Sequence, residues 1–310
     1  MSPSGYHPSM TFRFYLFSAL CTLCIMCVDV AHANDVEPRL YSNVPVGTNF
    51  LSVGYAYSSG EVSFDASVPV QDVDGEIEVM TLSYSRGLNI AGRSGLLTVI
   101  LPYMDASLTG LYLGQPASGR RIGWSDPVIR MSVNLYGAPA LALQDFATWQ
   151  QRTIVGATVS VGMPFGRYFD DKLINTGTNR WSTLMQVGAS HQRGRWTLEA
   201  ATGVSLSTDN DEALGDNTLE LDPLWLFRTS LQYRFRPGLW AGVGALYIHG
   251  GATTLNGIER DDEQRNWRLG AAVSMPLARR HSVLFRVTEG LASRFGSDFL
   301  TYGATYTYTF

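Results

Sequence analysis

From Thr48 to Phe310 the chain alternates apolar side chains with polar or small ones at a period of two residues. In Trp267–Met275 one face carries Trp267, Leu269, Ala271, Val273 and Met275, and the other Arg268, Gly270, Ala272 and Ser274. Trp196–Leu206 and Leu300–Phe310 repeat the pattern. Successive side chains of a strand point to opposite faces, so this period predicts an all-β chain. Strands are expected near 49–58, 76–87, 96–105, 125–136, 152–164, 181–192, 195–206, 224–235, 239–249, 265–276, 282–290 and 299–310. Strands of soluble sandwiches run about 5 to 6 residues, whereas a strand that crosses a bilayer needs about 9 to 11. Length therefore selects a transmembrane antiparallel β-barrel of about twelve strands. The count becomes ten or fourteen if a hairpin has been merged or split.

Connections alternate between long polar stretches such as Ser207–Glu220 and short turns such as Arg193-Gly194-Arg195. Bacterial outer-membrane barrels place short turns in the periplasm and long loops outside, which puts both ends of the barrel domain on the periplasmic side. Gly137–Gln151 departs from the alternation, and its Leu141, Leu143, Phe146 and Trp149 suggest a short helix. Tyr55, Tyr57, Tyr84, Tyr103, Trp181, Trp196, Trp267 and Tyr302 fall toward strand ends, where amphipathic rings form girdles at the two lipid interfaces. Tyr306, Tyr308 and Phe310 end the last strand as an alternating aromatic run, the signature read by the barrel-assembly machinery. Outer-membrane lipid and lipopolysaccharide are the expected surroundings.

Composition alone suggests an ordinary soluble domain, with 45% hydrophobic and 16% charged residues and a mean hydropathy near zero. The distribution changes that picture. Phe14–Val28 is mostly apolar, preceded by Arg13 and followed by Ala31-His32-Ala33, which reads as a signal peptide over residues 1–33 cut after Ala33, with Ala31 the second small residue of the cleavage site. Translation starts at Met1 or at Met10, the latter placing Arg13 in the charged leader. Residues 34–310 then form the barrel. Cleavage removes Cys21, Cys24 and Cys27, so the mature chain has no thiol chemistry, and neither metal nor cofactor is expected. A net charge of −4 with Lys172 the single lysine argues against a nucleic-acid partner.

Projected onto the strands, Arg130, Arg228, Arg234, Arg268 and Arg286 share the polar, lumen-facing side with Glu199, Gln186 and Gln232. Arginine in a polar pore favours anions or grips a carboxylate; alternatively these side chains pair across the wall and brace it, with Glu199 the natural partner. Repeated glycines on the same face, among them Gly156, Gly188, Gly203 and Gly303, imply bends or room inside. The acidic stretch Ser207–Asp222 includes Asp209-Asn210-Asp211 but lacks the spacing of a calcium loop, so it reads as solvated. His191, His249 and His281 have no acidic orienter in sequence, Ser190 and His191 project to opposite faces, and no G-x-S-x-G occurs, so an enzyme is not expected. Only Asn34–Gly47 precedes the first strand, which leaves no plug domain for energy-coupled uptake.

Leu101-Pro102-Tyr103, Gly123-Trp124-Ser125-Asp126-Pro127, Met163-Pro164-Phe165-Gly166-Arg167-Tyr168 and Asn175-Thr176-Gly177-Thr178-Asn179-Arg180-Trp181 occur in an order that resembles the Gram-negative outer-membrane transporter family of the meta-pathway of phenol degradation. The family's usual Gly-Asp is Ser125-Asp126 here. The resemblance implies an outer-membrane barrel and, through the family's name, passage of small aromatic or apolar compounds; it carries over no catalytic or ligand residues. The combined reading is a passive channel or transporter for a small-molecule solute. The alternatives are a structural or adhesive barrel acting through its outer loops and, more remotely, a lipid-modifying enzyme.

Overall fold

The alternating segments form sixteen strands and one short helix in the computed structural model, which describes residues 38–63, 70–146, 148–172, 174–213, 215–292 and 294–310. The signal sequence, with Ala31, Ala33 and the three cysteines, lies outside the described residues. The elements are β1 (Asn49–Ser63), β2 (Val70–Ile90), β3 (Arg93–Tyr112), β4 (Gln115–Trp124), β5 (Val128–Tyr136), α1 (Leu143–Phe146), β6 (Thr153–Gly162), β7 (Ser182–Arg193) and β8 (Trp196–Ser207). They continue with β9 (Leu219–Leu221), β10 (Leu224–Arg236), β11 (Leu239–Gly250), β12 (Thr253–Leu255), β13 (Ile258–Glu259), β14 (Gln264–Ala278), β15 (His281–Ala292) and β16 (Gly296–Thr309).

Twelve of the strands close into one antiparallel barrel. Closure lies at β1, which pairs with β2 on one side (Tyr55 opposite Met80) and with β16 on the other (Tyr55 opposite Ala304). All twelve correspond to the strands expected from the alternation, and α1 lies in the connection where a helix is expected. The differences are extensions beyond the membrane. β2 begins at Val70 rather than near residue 76 and β3 runs on to Tyr112, because Val73, Gly75 and Ile77 keep facing inward while Asp72, Asp74, Glu76 and Glu78 face out. β4, β9, β12 and β13 lie in segments read as loops; β4, with Pro116, Ser118 and Gly119, has no apolar stripe to betray it.

β3 shows how sequence divides a ladder. Gly95–Ile100 pairs with β5, and Tyr103–Tyr112 pairs with β4. The hand-over falls at Ser125-Asp126-Pro127, where Pro127 has no amide to donate and forces Asp126 away from helical geometry. Ser125 donates the last bond, to Pro102 O at 2.9 Å. At the opposite end β2 turns into β3 through Ala91 (φ 49°) and Gly92 (φ 81°), the two positive values of a type I′ hairpin, with Asn89 Oδ1 accepting the Gly92 amide.

The outward face of β10 gives the height of the apolar band. Trp225, Phe227, Leu231 and Phe235 are each 42–51% exposed, in register on one side. The ten steps from Trp225 to Phe235 span roughly 33 Å along the strand, or about 25 Å along the axis at a tilt near 40°, the height of the lipid-facing band of bacterial barrels. The chain is thus an outer-membrane β-barrel, with its short turns at the periplasmic end.

Candidate functional site

In the outer half of the barrel two stretches of the inward face are apolar. Leu184 of β7, Leu224 and Leu226 of β10 and Leu246 and Ile248 of β11 form one buried cluster, three of them with no exposed surface. On the opposite wall Val62, Val73, Ile77, Met104, Leu108 and Phe299 of β1, β2, β3 and β16 form a second, capped by Ile174 from the connection between β6 and β7. A porin interior is polar, so two facing apolar patches are the distinctive feature of this lumen.

Polar side chains share these registers, with Arg228 and Arg268 opposite Leu246 and Asn266 opposite Ile248. Arg228 and Arg268 are 8% and 7% exposed, Arg130 and Arg286 are half-buried, and the even-numbered registers of β10 and β14 turn them inward with Gln232 and Asn266. Arg130 Nε donates to Ser160 Oγ at 3.1 Å, and Arg268 Nη2 donates to Ser297 O and Oγ, each at 3.1 Å. Arg234 shares the register but sits at the periplasmic rim, exposed.

The periplasmic half is filled by the segment 38–48, which travels along the inner wall. Val46 N donates to Leu141 O, and Val44 N and O bond Ser94 Oγ on β3. Asn134 of β5 donates to Ser42 O, Ser190 Oγ of β7 donates to Tyr41 O at 2.7 Å, and Leu40 N donates to Glu199 Oε1 of β8 at 2.8 Å. Arg39, in the left-handed region at φ 67°, lays its guanidinium 5.7 Å from the Trp240 ring of β11. From residue 44 back to residue 39 the segment thus runs along the wall from β3 past β5, β7 and β8 to β11. Glu199, expected as the brace for a wall arginine, thus anchors the backbone of this segment and faces the charge of Arg39. The eleven residues 38–48, which alternation leaves outside any strand, thus lie against the inner wall of the lumen.

Tyr41 is the keystone, with no exposed surface, packed on Ala138, Ile154, Leu40, Trp149 and Ala201. The glycines opposite it make the room. A Cβ on Gly156 would lie 2.2 Å from the Tyr41 ring, and one on Gly188 would lie 2.6 Å from it. Two of the repeated inward glycines therefore define a socket for one aromatic ring. Nothing about position 41 alone reveals this; the signal available in sequence is the pair of glycines at neighbouring registers of β6 and β7.

At the outer mouth the motifs quoted above meet around one carboxylate. Asp126 is 8% exposed and accepts hydrogen bonds from Gly166 N (2.8 Å), Thr178 N (2.8 Å) and Thr178 Oγ1 (2.6 Å). Gly166 and Gly177 pack backbone on backbone, since a Cβ on either would come within 2.7 Å of the other's main chain. The β6–β7 connection is thereby folded over the barrel so that Ile174 reaches the apolar patch.

The predicted girdle residues Tyr55, Tyr84, Tyr103, Trp181, Trp196, Trp267 and Tyr302 are 37–56% exposed, and Tyr57 is half-buried. Tyr308 and Phe310 stack at 5.4 Å beside the barrel seam, where Phe310 and Asn49 exchange backbone hydrogen bonds. Ser190 faces inward and His191 outward. Sequence places no acid beside any histidine, but folding brings Glu263 Oε1 to 3.5 Å from His249 Nε2. Arg265 donates to the same carboxylate at 2.7 Å and holds it below the usual glutamate range. In the acidic outer loop Asn210 is buried and ties the strand-like turn to Tyr168, while β9, β12 and β13 form a small three-stranded sheet.

Comparison with known structures places this architecture. An outer membrane channel from Pseudomonas putida F1 is 20% identical, with 89% of this chain and 100% of that chain covered and a TM-score of 0.76. The transport unit of the Escherichia coli autotransporter AIDA-I is 9% identical over 99% of this chain and 100% of its own, at 0.55. The β domain of the Bordetella autotransporter BrkA is 12% identical over 85% and 100%, at 0.53. No curated protein matches the chain. A family model described as "Putative MetA-pathway of phenol degradation" matches residues 58–307, from the middle of β1 to the end of β16, and the chain belongs to that family.

Proposed function

We propose that the protein is a passive channel for small apolar or aromatic compounds across the outer membrane, entered from the apolar outer half of the barrel and closed from the periplasm by the segment 38–48. The observation that carries this reading is the pair of buried aliphatic clusters on the inward face, centred on Leu226 and Leu246 on one side and on Met104 and Phe299 on the other. A solute that buries about 100 Å² of apolar surface there gains about 2.5 kcal/mol, enough to capture it and weak enough to release it. Arg228 and Arg268, opposite Leu246, together with Arg130 and Arg286 receive the polar end of such a solute, while Arg234 meets it at the exit. The family's description and the likeness to the P. putida outer membrane channel support the same assignment. The aromatic girdle is the lipid anchor in this reading, and Tyr306, Tyr308 and Phe310 are the residues the assembly machinery engages.

Uptake into proteoliposomes tests it. A neutral one-ring aromatic should enter faster than a sugar of similar size, and Leu226→Asp should abolish that difference. Equal rates for both solutes with the wild-type protein would refute the apolar path. Trimming 208–221 should leave uptake unchanged; a surface-binding barrel would instead lose its binding on that change and show no selective flux.

A further inference from the structure

We infer that the periplasmic rim formed by three successive turns is a binding surface for the headgroups of anionic phospholipids in the facing leaflet. The turns β7–β8, β10–β11 and β14–β15 are adjacent along the rim, since β7, β8, β10, β11, β14 and β15 are consecutive in the barrel. They carry Arg193, Arg195, Arg236, Arg279 and Arg280, all exposed. No acidic side chain lies in these turns or in the adjoining strand ends 190–198, 230–241 and 274–284. Among the described residues most acidic side chains sit at the other end of the molecule, as in the exposed series Asp72, Asp74, Glu76 and Glu78 of β2, with Asp145 of the β5–β6 connection outside this arc. A chain with a net charge of −4 thus presents a cationic periplasmic arc.

The arginines are continuous with the lipid-facing band. Trp196 and Phe235 are each 51% exposed; Tyr233 lies 4.8 Å from the Trp196 ring and 5.0 Å from the Phe235 ring, and Arg195 Nη1 donates to Tyr233 OH at 3.4 Å. At the third turn, the His281 ring lies 5.1 Å from that of Tyr308, tilted by 34°, next to Arg279 and Arg280. Rings that meet acyl chains, topped by planar forks that take phosphate oxygens in pairs, match an amphiphile with an anionic phosphodiester head. That juxtaposition favours lipid over a soluble acidic protein, which would have no use for the apolar platform. The inference does not depend on what the lumen carries.

Its test is the association of spin-labelled phosphatidylglycerol and spin-labelled phosphatidylcholine with the protein reconstituted in phosphatidylcholine vesicles. Wild-type protein should prefer phosphatidylglycerol about fivefold for each arginine engaged, since anionic membranes attract basic side chains by that order. The preference should fall toward unity in about 1 M salt, where the screening length is about 3 Å. The variant carrying R193Q, R195Q, R236Q, R279Q and R280Q should lose it, and the corresponding five-lysine variant should keep part of it. No preference in the wild type, or a preference that survives salt or persists in the glutamine variant, would overturn the inference. The salt titration decides the question with unmodified protein should the glutamine variant fail to fold.

Discussion

Tyr41→Ala tests whether the segment 38–48 closes the lumen. The ring is wholly buried and fills the socket left by Gly156 and Gly188, so its removal leaves a cavity lined by Ile154, Ala138 and Ala201. Truncating a buried aromatic costs about 3 to 5 kcal/mol. Here the loss falls on docking of the segment and spares the barrel, because no ladder bond between strands involves residue 41. The remaining anchors are the bonds to Glu199, Ser190, Asn134 and Ser94, and they keep the segment partly seated. A loss of 3 kcal/mol shifts the docked-to-undocked ratio by a little over a hundredfold, at about tenfold per 1.4 kcal/mol. Two measurements belong together: protease cleavage before Asn49, which reports undocking, and open probability in planar bilayers. Both should rise in Tyr41→Ala while heat-resistant migration of the folded barrel is retained. A variant whose segment is cleaved readily, yet whose open probability equals that of the wild type, would refute the segment as the closure.

Asp126→Asn should leave the barrel inserted but free the β6–β7 connection, because one buried acceptor serves three donors; a loss of about 3 kcal/mol is expected, seen as cleavage near residues 166–178 from outside the cell. Gly177→Ala should produce the same cleavage pattern by a steric route, its Cβ lying 2.6 Å from the Gly166 carbonyl carbon; protection equal to the wild type would show that the two backbones can part without cost. Glu263 has a lowered pKa, chiefly through its hydrogen bond from Arg265, so its contribution to loop order is complete above the unfolded glutamate value and is lost as pH falls through the depressed one. Cleavage in 251–263 should accordingly stay flat from neutral pH down to the ordinary glutamate range and rise progressively below it, levelling only beyond the depressed value, whereas Glu263→Gln should show the higher rate throughout. Deleting Phe310 should lower the inserted fraction in cell fractionation, since its backbone closes the seam with Asn49; undiminished insertion would argue against a role in assembly.

Period-two alternation over segments of about ten residues was enough to determine the barrel, its twelve strands and the parity that turns Arg228, Arg268 and Glu199 inward. Those properties are local: each follows from the pleat of a single strand and the length of a bilayer crossing. The stretches that escaped were those in which alternation carries no apolar contrast, such as β4, or in which outward carboxylates replace lipid-facing side chains, as in the upper part of β2. What fills the lumen was decided only by the tertiary structure. Tyr41 meets Gly156 and Gly188 across more than a hundred residues of sequence, Glu199 takes the backbone amide of Leu40, and Asp126 gathers two distant motifs. The apolar clusters likewise join residues from several strands, so no single window displays them. Pleat and length act along the chain, whereas packing inside a closed barrel depends on which strands face each other across it, and closure alone sets that.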